Sequence, residues 1–183
     1  MEWFTADYHL SHKNIIRYVN RPFENADVMN NIILSNLELS VNKGDILYYL
    51  GDLTFKKEVA LQFFKRFRDL EIHYIIGNHD KEEVITIAKK FCKSVSYLKD
   101  IKLNGHNITL CHYAMRVWNK SHFNAWQLYG HSHGNLAPIG KQYDVGVDSN
   151  EFKPVSIIQI EKIMEKAPNN MNYIPSKKRQ SKR

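Results

Sequence analysis

The stretch Ile72-His73-Tyr74-Ile75-Ile76-Gly77-Asn78-His79-Asp80 decides the fold. Its apolar run, Ile72 to Ile76, reads as a buried strand that stops at a glycine. An amide, an imidazole and a carboxylate follow at once. Helical periodicity then starts at Lys81, with Val84, Ile85, Ala88 and Phe91 inward. A strand that hands polar residues to the start of a helix belongs to an α/β sheet, where ligands sit beyond the C-terminal ends of the strands.

Working outward, the arrangement recurs. Trp3 to Ala6 reads as a first strand ended by Asp7-x-His9, and Ile46 to Leu50 as a second entering Gly51-Asp52. Between them, Ser11 is expected to cap a short helix carrying Ile15, Ile16 and Val19, which Arg21-Pro22-Phe23 breaks. A longer helix is expected from Asp27 to about Ser40, with Val28, Ile32, Ile33 and Leu37 as its stripe. The clearest helix runs from Lys57 to Leu70, with Ala60, Phe63, Phe64 and Phe67 as a core face. The order β-α-α-β-α-β-α predicts strands joined by crossovers.

The second half changes character. Val95–Leu98, Ile101–Leu103, Ile108–Cys111, Trp126–Tyr129 and Tyr143–Val147 read as strands, and Asn104-Gly105 is a hairpin signal. Ser156 with Gln159 forms a capping-box pattern for a last helix to Lys166, buried through Ile157, Ile160 and Met164.

At 183 residues the chain is expected to form one domain over residues 1–167. No run of eighteen apolar residues occurs, so no membrane span is expected. The N-terminus enters a strand directly, without the basic start of a secretory signal. Two cysteines, Cys92 and Cys111, make no disulfide framework, and a reducing cytoplasm is the natural setting. Of the +7 formal charge, five come from Lys177, Lys178, Arg179, Lys182 and Arg183, so the rest of the chain carries +2. Residues 168–183 read as a basic, disordered tail. A body so nearly neutral argues against a long nucleic-acid track.

Five polar clusters line up after strands or in glycine turns: Asp7-x-His9, Gly51-Asp52, Gly77-Asn78-His79-Asp80, His112, and Gly130-His131-Ser132-His133. Singly, each has a plain explanation. Asp7 could cap a helix, Asp52 could serve a turn, and His112 could be a core histidine beside Cys111. Together they hold five of the nine histidines. His73 and His106 are left as structural or surface residues. Trp118, His122, Phe123 and Trp126 form an aromatic segment that either stacks a base or packs.

In this order the clusters resemble the calcineurin-like metallophosphoesterase family, whose pattern is D-x-H, G-D, G-N-H-D/E, H and G-H-x-H. The resemblance spans Trp3 to Asp148. It implies a four-layer α/β/β/α sandwich of two mixed sheets. One divalent metal would be held by Asp7, His9 and His133, a second by Asn78, His112 and His131, with Asp52 bridging. Mixed imidazole and carboxylate donors suit Mn, Fe, Zn, Ni or Co rather than Ca or Mg, and Mn is the ion expected. Such a pair can share the hydroxide that attacks phosphorus in line. His79 is then left free as general acid, with Asp80 expected to orient it.

Departures narrow the reading. Leu53-Thr54-Phe55 follows Gly51-Asp52 where the family often has a further aspartate and arginine, which makes phosphoprotein substrates an unfavoured expectation. His12, Asn14, Arg21, Pro22 and Phe23 match small bacterial and phage members. His12, Asn14, Arg21 and Arg116 are candidate substrate contacts, with surface ion pairing as the alternative for the two arginines. The expected activity is hydrolysis of a phosphodiester or a small phosphorylated metabolite. A nuclease and a non-catalytic scaffold are the alternatives, and the sequence specifies no oligomeric state.

Overall fold

Alternation along the strands divides the core in two. The structure, a computed structural model, describes residues 1–175, so the basic cluster Lys177–Arg183 lies outside the described residues. The first half gives β1 (Glu2–Thr5), α1 (Ile15–Tyr18), α2 (Ala26–Ser40), β2 (Ile46–Tyr49), α3 (Lys57–Arg66), β3 (Glu71–Ile75), α4 (Glu82–Phe91) and β4 (Ser94–Ser96). The second gives β5 (Leu98–Leu103), β6 (His106–Cys111), β7 (Trp126–Tyr129), β8 (Gln142–Asp144), β9 (Val155–Ser156) and α5 (Ile157–Lys166). One sheet has the order β4-β3-β2-β1-β9, the other β5-β6-β7-β8. Both are mixed: β1 to β4 run parallel with β9 antiparallel at the edge, and β6 to β8 run parallel with β5 antiparallel.

In the first sheet, Leu47, Tyr49, Ile72 and Tyr74 face α2, α3 and α4, packing against Met29, Ile33, Leu37, Phe63, Phe64, Val84 and Ala88. The alternate residues Phe4, Tyr48 and Ile75 face the second sheet, meeting Ile108, Leu110, Trp126 and Leu128. Period-two alternation thus lets one strand serve two cores. Val155, Ile157, Ile160 and Met164 of β9 and α5 join this inter-sheet core. The Ser156–Gln159 capping box forms, with Ser156 Oγ accepting from the Gln159 amide.

Four features depart from expectation, and the loop after β6 lies against β7 and β8. There the side chain of Gln127 binds Tyr113 O and the Met115 amide, and Gln142 binds Met115 O. The stripe of α2 is Met29, Ile33 and Leu37, while Val28 and Ile32 are 37% and 40% exposed. Met29 packs in the helix–sheet core, with Arg21 Nη1 3.3 Å from its sulfur. The short helix α1 starts at Asn14 with no side-chain cap, because Ser11 is engaged with Asn30 instead. Edge strand β9, two residues long, has no counterpart among the expected strands. Residues 168–175 are not a loose tail: Asn170 is 4% exposed, and its Nδ2 donates to Ser121 O and Ala125 O.

Candidate metal centre

The C-terminal ends of β1, β2, β3, β6 and β7 converge, and the polar clusters stand there. Asp7 and His9 follow β1, Asp52 follows β2, Asn78 and His79 follow β3, His112 follows β6, and His131 and His133 follow β7. Asp7, His9 and His133 bring ligand atoms within 4.8 Å of one another, and so do Asp52, His112 and His131. The groups touch through one atom: Asp52 Oδ2 lies 3.5 Å from His9 Nε2 and 3.4 Å from His112 Nε2. Asn78 Oδ1 adds a further donor 2.9 Å from His112 Nε2.

Backbone conformation aims these residues. Asp7, His9, Asp52, His131 and His133 all have φ between 48° and 66°, the left-handed region that such residues seldom occupy. Two glycines let backbone close on the carboxylates. A Cβ on Gly77 would lie 2.2 Å from Asp52 Oδ1, and one on Gly130 would lie 2.4 Å from Asp7 Oδ2.

The donors fit divalent cations. Asp7 Oδ1, His9 Nε2 and Asp52 Oδ2 are buried and find no hydrogen-bond partner among the described residues, a costly state for three neighbouring polar atoms. Burial, with Asp52 and Asp144 nearby, pushes the Asp7 carboxyl up to about 7 against the pull of His112 and His133. Burial likewise takes His9 down to about 3 despite Asp52. Burial opposes the charged form of His112 too, but Asp52 and Asp7 outweigh it and carry the imidazole up to about 9. Each tension is what a bound cation would relieve.

Partners behind the donors fix their orientation. His112 Nδ1 donates to Leu50 O at 2.7 Å, leaving Nε2 for a ligand. His133 Nδ1 meets Asp148 Oδ2 at 2.7 Å. Asp144 accepts from Ser132 Oγ and the Gly134 amide, bracing the Gly-His-Ser-His turn. Asp148 and Asp144 are functional neighbours that sequence reasoning missed, since neither stands in a motif.

Two sequence expectations are corrected. Asp80 does not orient the His79 ring: it accepts from the Gly77, Asp52 and Leu53 amides and from Tyr74 Oη, tying the β2 and β3 loops together. Arg21 is no phosphate clamp and no surface ion pair. Its side chain is buried, with Nε and Nη2 donating to Asp148 and Nη1 and Nη2 to Tyr8 O and Asp7 O.

His79 stays exposed, its ring 5.6 Å from His9 and 5.3 Å from Phe55 between centroids. His12 joins this side, 4.9 Å from Phe55 and 5.9 Å from His9. Tyr113 flanks the other group, 5.1 Å from His112 and 4.8 Å from His131. Asn14 and Arg116 are exposed on α1's approach and the loop after β6. Of the aromatic segment, Trp118 and Trp126 are buried and pack. Phe123 and Trp126 line a cavity of about 550 Å³ with His106 and Lys141, at the opposite ends of β6 and β7 from the metal centre.

No protein-family model matches the sequence. A solved structure from Aquifex aeolicus, the protein of unknown function AQ665, superposes with a TM-score of 0.69 at 26% identity, over 89% of this chain and 98% of that one. A looser likeness, TM-score 0.46 at 14% identity over 79% of this chain and 81% of the other, is to an archaeal phosphodiesterase and carries no activity across. Among curated proteins, the uncharacterized protein MJ1445 of Methanocaldococcus jannaschii is 34% identical over 177 residues, 90% of this chain and 91% of its own length. On that identity and coverage, the chain belongs to the same family as MJ1445.

Proposed function

We propose that the chain is a metal-dependent phosphoesterase of the calcineurin-like type. One observation carries the reading: a buried, unpartnered carboxylate oxygen, Asp52 Oδ2, stands between an imidazole of one Asp/His group and an imidazole of the other. A shared carboxylate between two such groups is what a pair of divalent cations requires. The five motifs in order, gathered where the C-terminal ends of both sheets' strands converge, support the family reading. We take manganese as the ion; mixed imidazole and carboxylate donors accept Fe, Zn, Ni or Co as well. Bound there, two cations would polarise a phosphoryl oxygen and neutralise the charge that builds on it.

The protein's own residues supply the rest. Asp52, Asn78 and the five imidazole and carboxylate donors fix where the phosphoryl group sits, so binding and orientation are set before reaction. The His79 amide donates to Asp52 Oδ1 at 2.9 Å, which ties its backbone to the shared carboxylate while its ring stays free. That ring is assigned as proton donor to the leaving oxygen. No serine or cysteine nucleophile is needed. His12, on the same side as His79, is the substrate contact favoured among the four candidates.

Phosphodiesters are favoured over monoesters, because no inserted domain closes the site between the motifs. Phe55 and Tyr113, on either group's flank, suit a small ester with planar substituents, such as a nucleotide. Long polynucleotides are the lesser alternative for a body charge of only +2. With Cys92 and Cys111 both free, a reducing, cytoplasmic setting completes the proposal.

The test is the full chain reconstituted with Mn²⁺ and assayed on aryl mono- and diesters, cyclic nucleotides and short single strands, beside Asp52→Asn. Turnover that vanishes in Asp52→Asn supports the proposal. Equal turnover in both proteins, or none on any ester at two bound ions, refutes it.

A further inference from the structure

We propose that Arg21 and Asp148 are positioning residues that make Asp7, His9 and His133 the tighter of two cation sites, so that the ions load in order. This rests on the dinuclear reading of the centre and not on which ester it cleaves.

Arg21 is the starting point. Its guanidinium has no exposed surface, and Asp148 beside it is 7% exposed at the side chain. A buried ion pair is a poor source of stability, since apolar residues of similar size often do as well or better. What it provides here is geometry. Nε and Nη2 grip both Asp148 oxygens at 2.8 and 2.7 Å, a bidentate fork that fixes the carboxylate's plane. Nη2 also donates to Asp7 O at 2.6 Å, and Nη1 to Tyr8 O at 2.9 Å. Asp148 Oδ2, so held, accepts a hydrogen bond from His133 Nδ1 at 2.7 Å.

One guanidinium therefore controls every member of the first group. It holds the carbonyls of the turn that carries Asp7 and His9, and through Asp148 it turns the His133 ring. All three of these residues have left-handed backbone, at φ 63°, 49° and 48°. That conformation needs support from outside the segment.

The second group is held at its backbone but less at its side chains: Asp80 ties the Asp52 and Gly77 loops and Leu50 O orients His112, but His131 and Asn78 are exposed. Charge points the same way. The Asp7 carboxylate serves the first group, whereas Asn78, His112 and His131 bring no negative charge to the second beyond the shared Asp52. Pre-organisation and Coulomb attraction both favour a cation at the first group.

The test reads ion binding and no turnover, so failure of the hydrolase proposal leaves it intact. The full chain is stripped with chelator and titrated with Mn²⁺ by calorimetry, and Co²⁺ absorption reports the geometry at each step. We expect two steps separated by at least about tenfold. His131→Ala should remove the weaker step and spare the tighter. Arg21→Met and Asp148→Asn should each weaken the tight step by about 10–100-fold, the usual effect of losing a partner behind a metal ligand, and leave the weak step within about threefold. Two equal steps in the parent protein, loss of the tight step in His131→Ala, or equal weakening of both steps in the clamp variants would each overturn the proposal. Should Arg21→Met fail to fold, Asp148→Asn decides on the same criterion.

Discussion

Replacing Gly77 by alanine tests the shared carboxylate most directly. Gly77 lies outside the left-handed region, so an alanine there meets no backbone penalty and the effect is one of space. The new Cβ would stand 2.2 Å from Asp52 Oδ1, 2.7 Å from its amide nitrogen and 2.9 Å from its Cγ. Relaxed carbon–oxygen contacts begin near 3.3 Å, so the carboxylate must retreat by about 1 Å. It cannot do so and keep both the 2.9 Å bond from the His79 amide and its place between His9 and His112. Overpacking of this kind costs about 1–3 kcal/mol. At roughly 2–4 °C per kcal/mol for a chain of this size, Tm should fall by about 2–12 °C. Misplacing a reacting group by about 1 Å costs on the order of a hundredfold in rate. The assay is kcat/KM on an aryl diester with metal content measured on the same sample. Gly105→Ala is the control, since Gly105 has φ 84° in a hairpin with nothing within 4 Å; it should lose stability and keep activity. A Gly77→Ala protein that holds two ions and keeps kcat/KM within threefold would refute the bridging role of Asp52.

Three further outcomes are expected. His79→Ala should lower turnover by about 10²–10⁴-fold while ion content stays at two, and unchanged kinetics would remove His79 from the mechanism. In the chelated protein, the raised groups Asp7 and His112 each favour the folded state while protonated; the Asp7 contribution is lost between 3.8 and about 7, and the His112 contribution, which governs the higher window, between 6.5 and about 9. Tm without metal should therefore fall from pH 7 to pH 9 and stay flatter with Mn²⁺ bound, as thermal scans would show; a rise over that window would contradict the assignment. Ser156→Ala should cost about 1 kcal/mol through the α5 cap and leave kcat/KM unchanged, a separation of stability from activity that circular dichroism and the diester assay would check together.

Much of this was legible in the chain because the information is local. Gly77-Asn78-His79 after an apolar run, Asn104-Gly105 between two strands, and Ser156 three residues before Gln159 each carry their geometry within a few positions. What escaped depends on distant partners. Arg21 and Asp148 are 127 residues apart, and nothing near either one distinguishes a buried fork from a surface charge. Asp80 adjoins His79 in sequence, yet its carboxylate turns back to three amides and the Tyr74 hydroxyl. In α2 the apolar residues at 28, 29, 32, 33 and 37 permit two adjacent stripes, and packing over the sheet, not periodicity, chose the one with Met29. The polar 168–175 segment lacks any periodic signal because side-chain hydrogen bonds from Asn170 and Asn172 hold it, not an apolar face.

The distribution of backbone strain argues that the centre exists for binding. Five of the seven proposed ligand residues adopt left-handed φ, none of them glycine, and all lie just past the ends of β1, β2 and β7. The strands need no such turns to close the sheets. At about 1 kcal/mol or more each, five strained residues amount to a sizeable fraction of the roughly 5–15 kcal/mol by which a domain is stable. Added to that are three buried atoms without hydrogen bonds, Asp7 Oδ1, His9 Nε2 and Asp52 Oδ2, all at the same spot. A fold under no functional demand would relax one or the other: glycine or asparagine at the turns, or an apolar residue for an unpaired carboxylate. Keeping both, with Arg21, Asp80 and Asp144 committed to holding the loops, fits a centre whose unpaired donors a cation could satisfy. The strain aims the donors that follow β1, β2 and β7 toward those that follow β3 and β6.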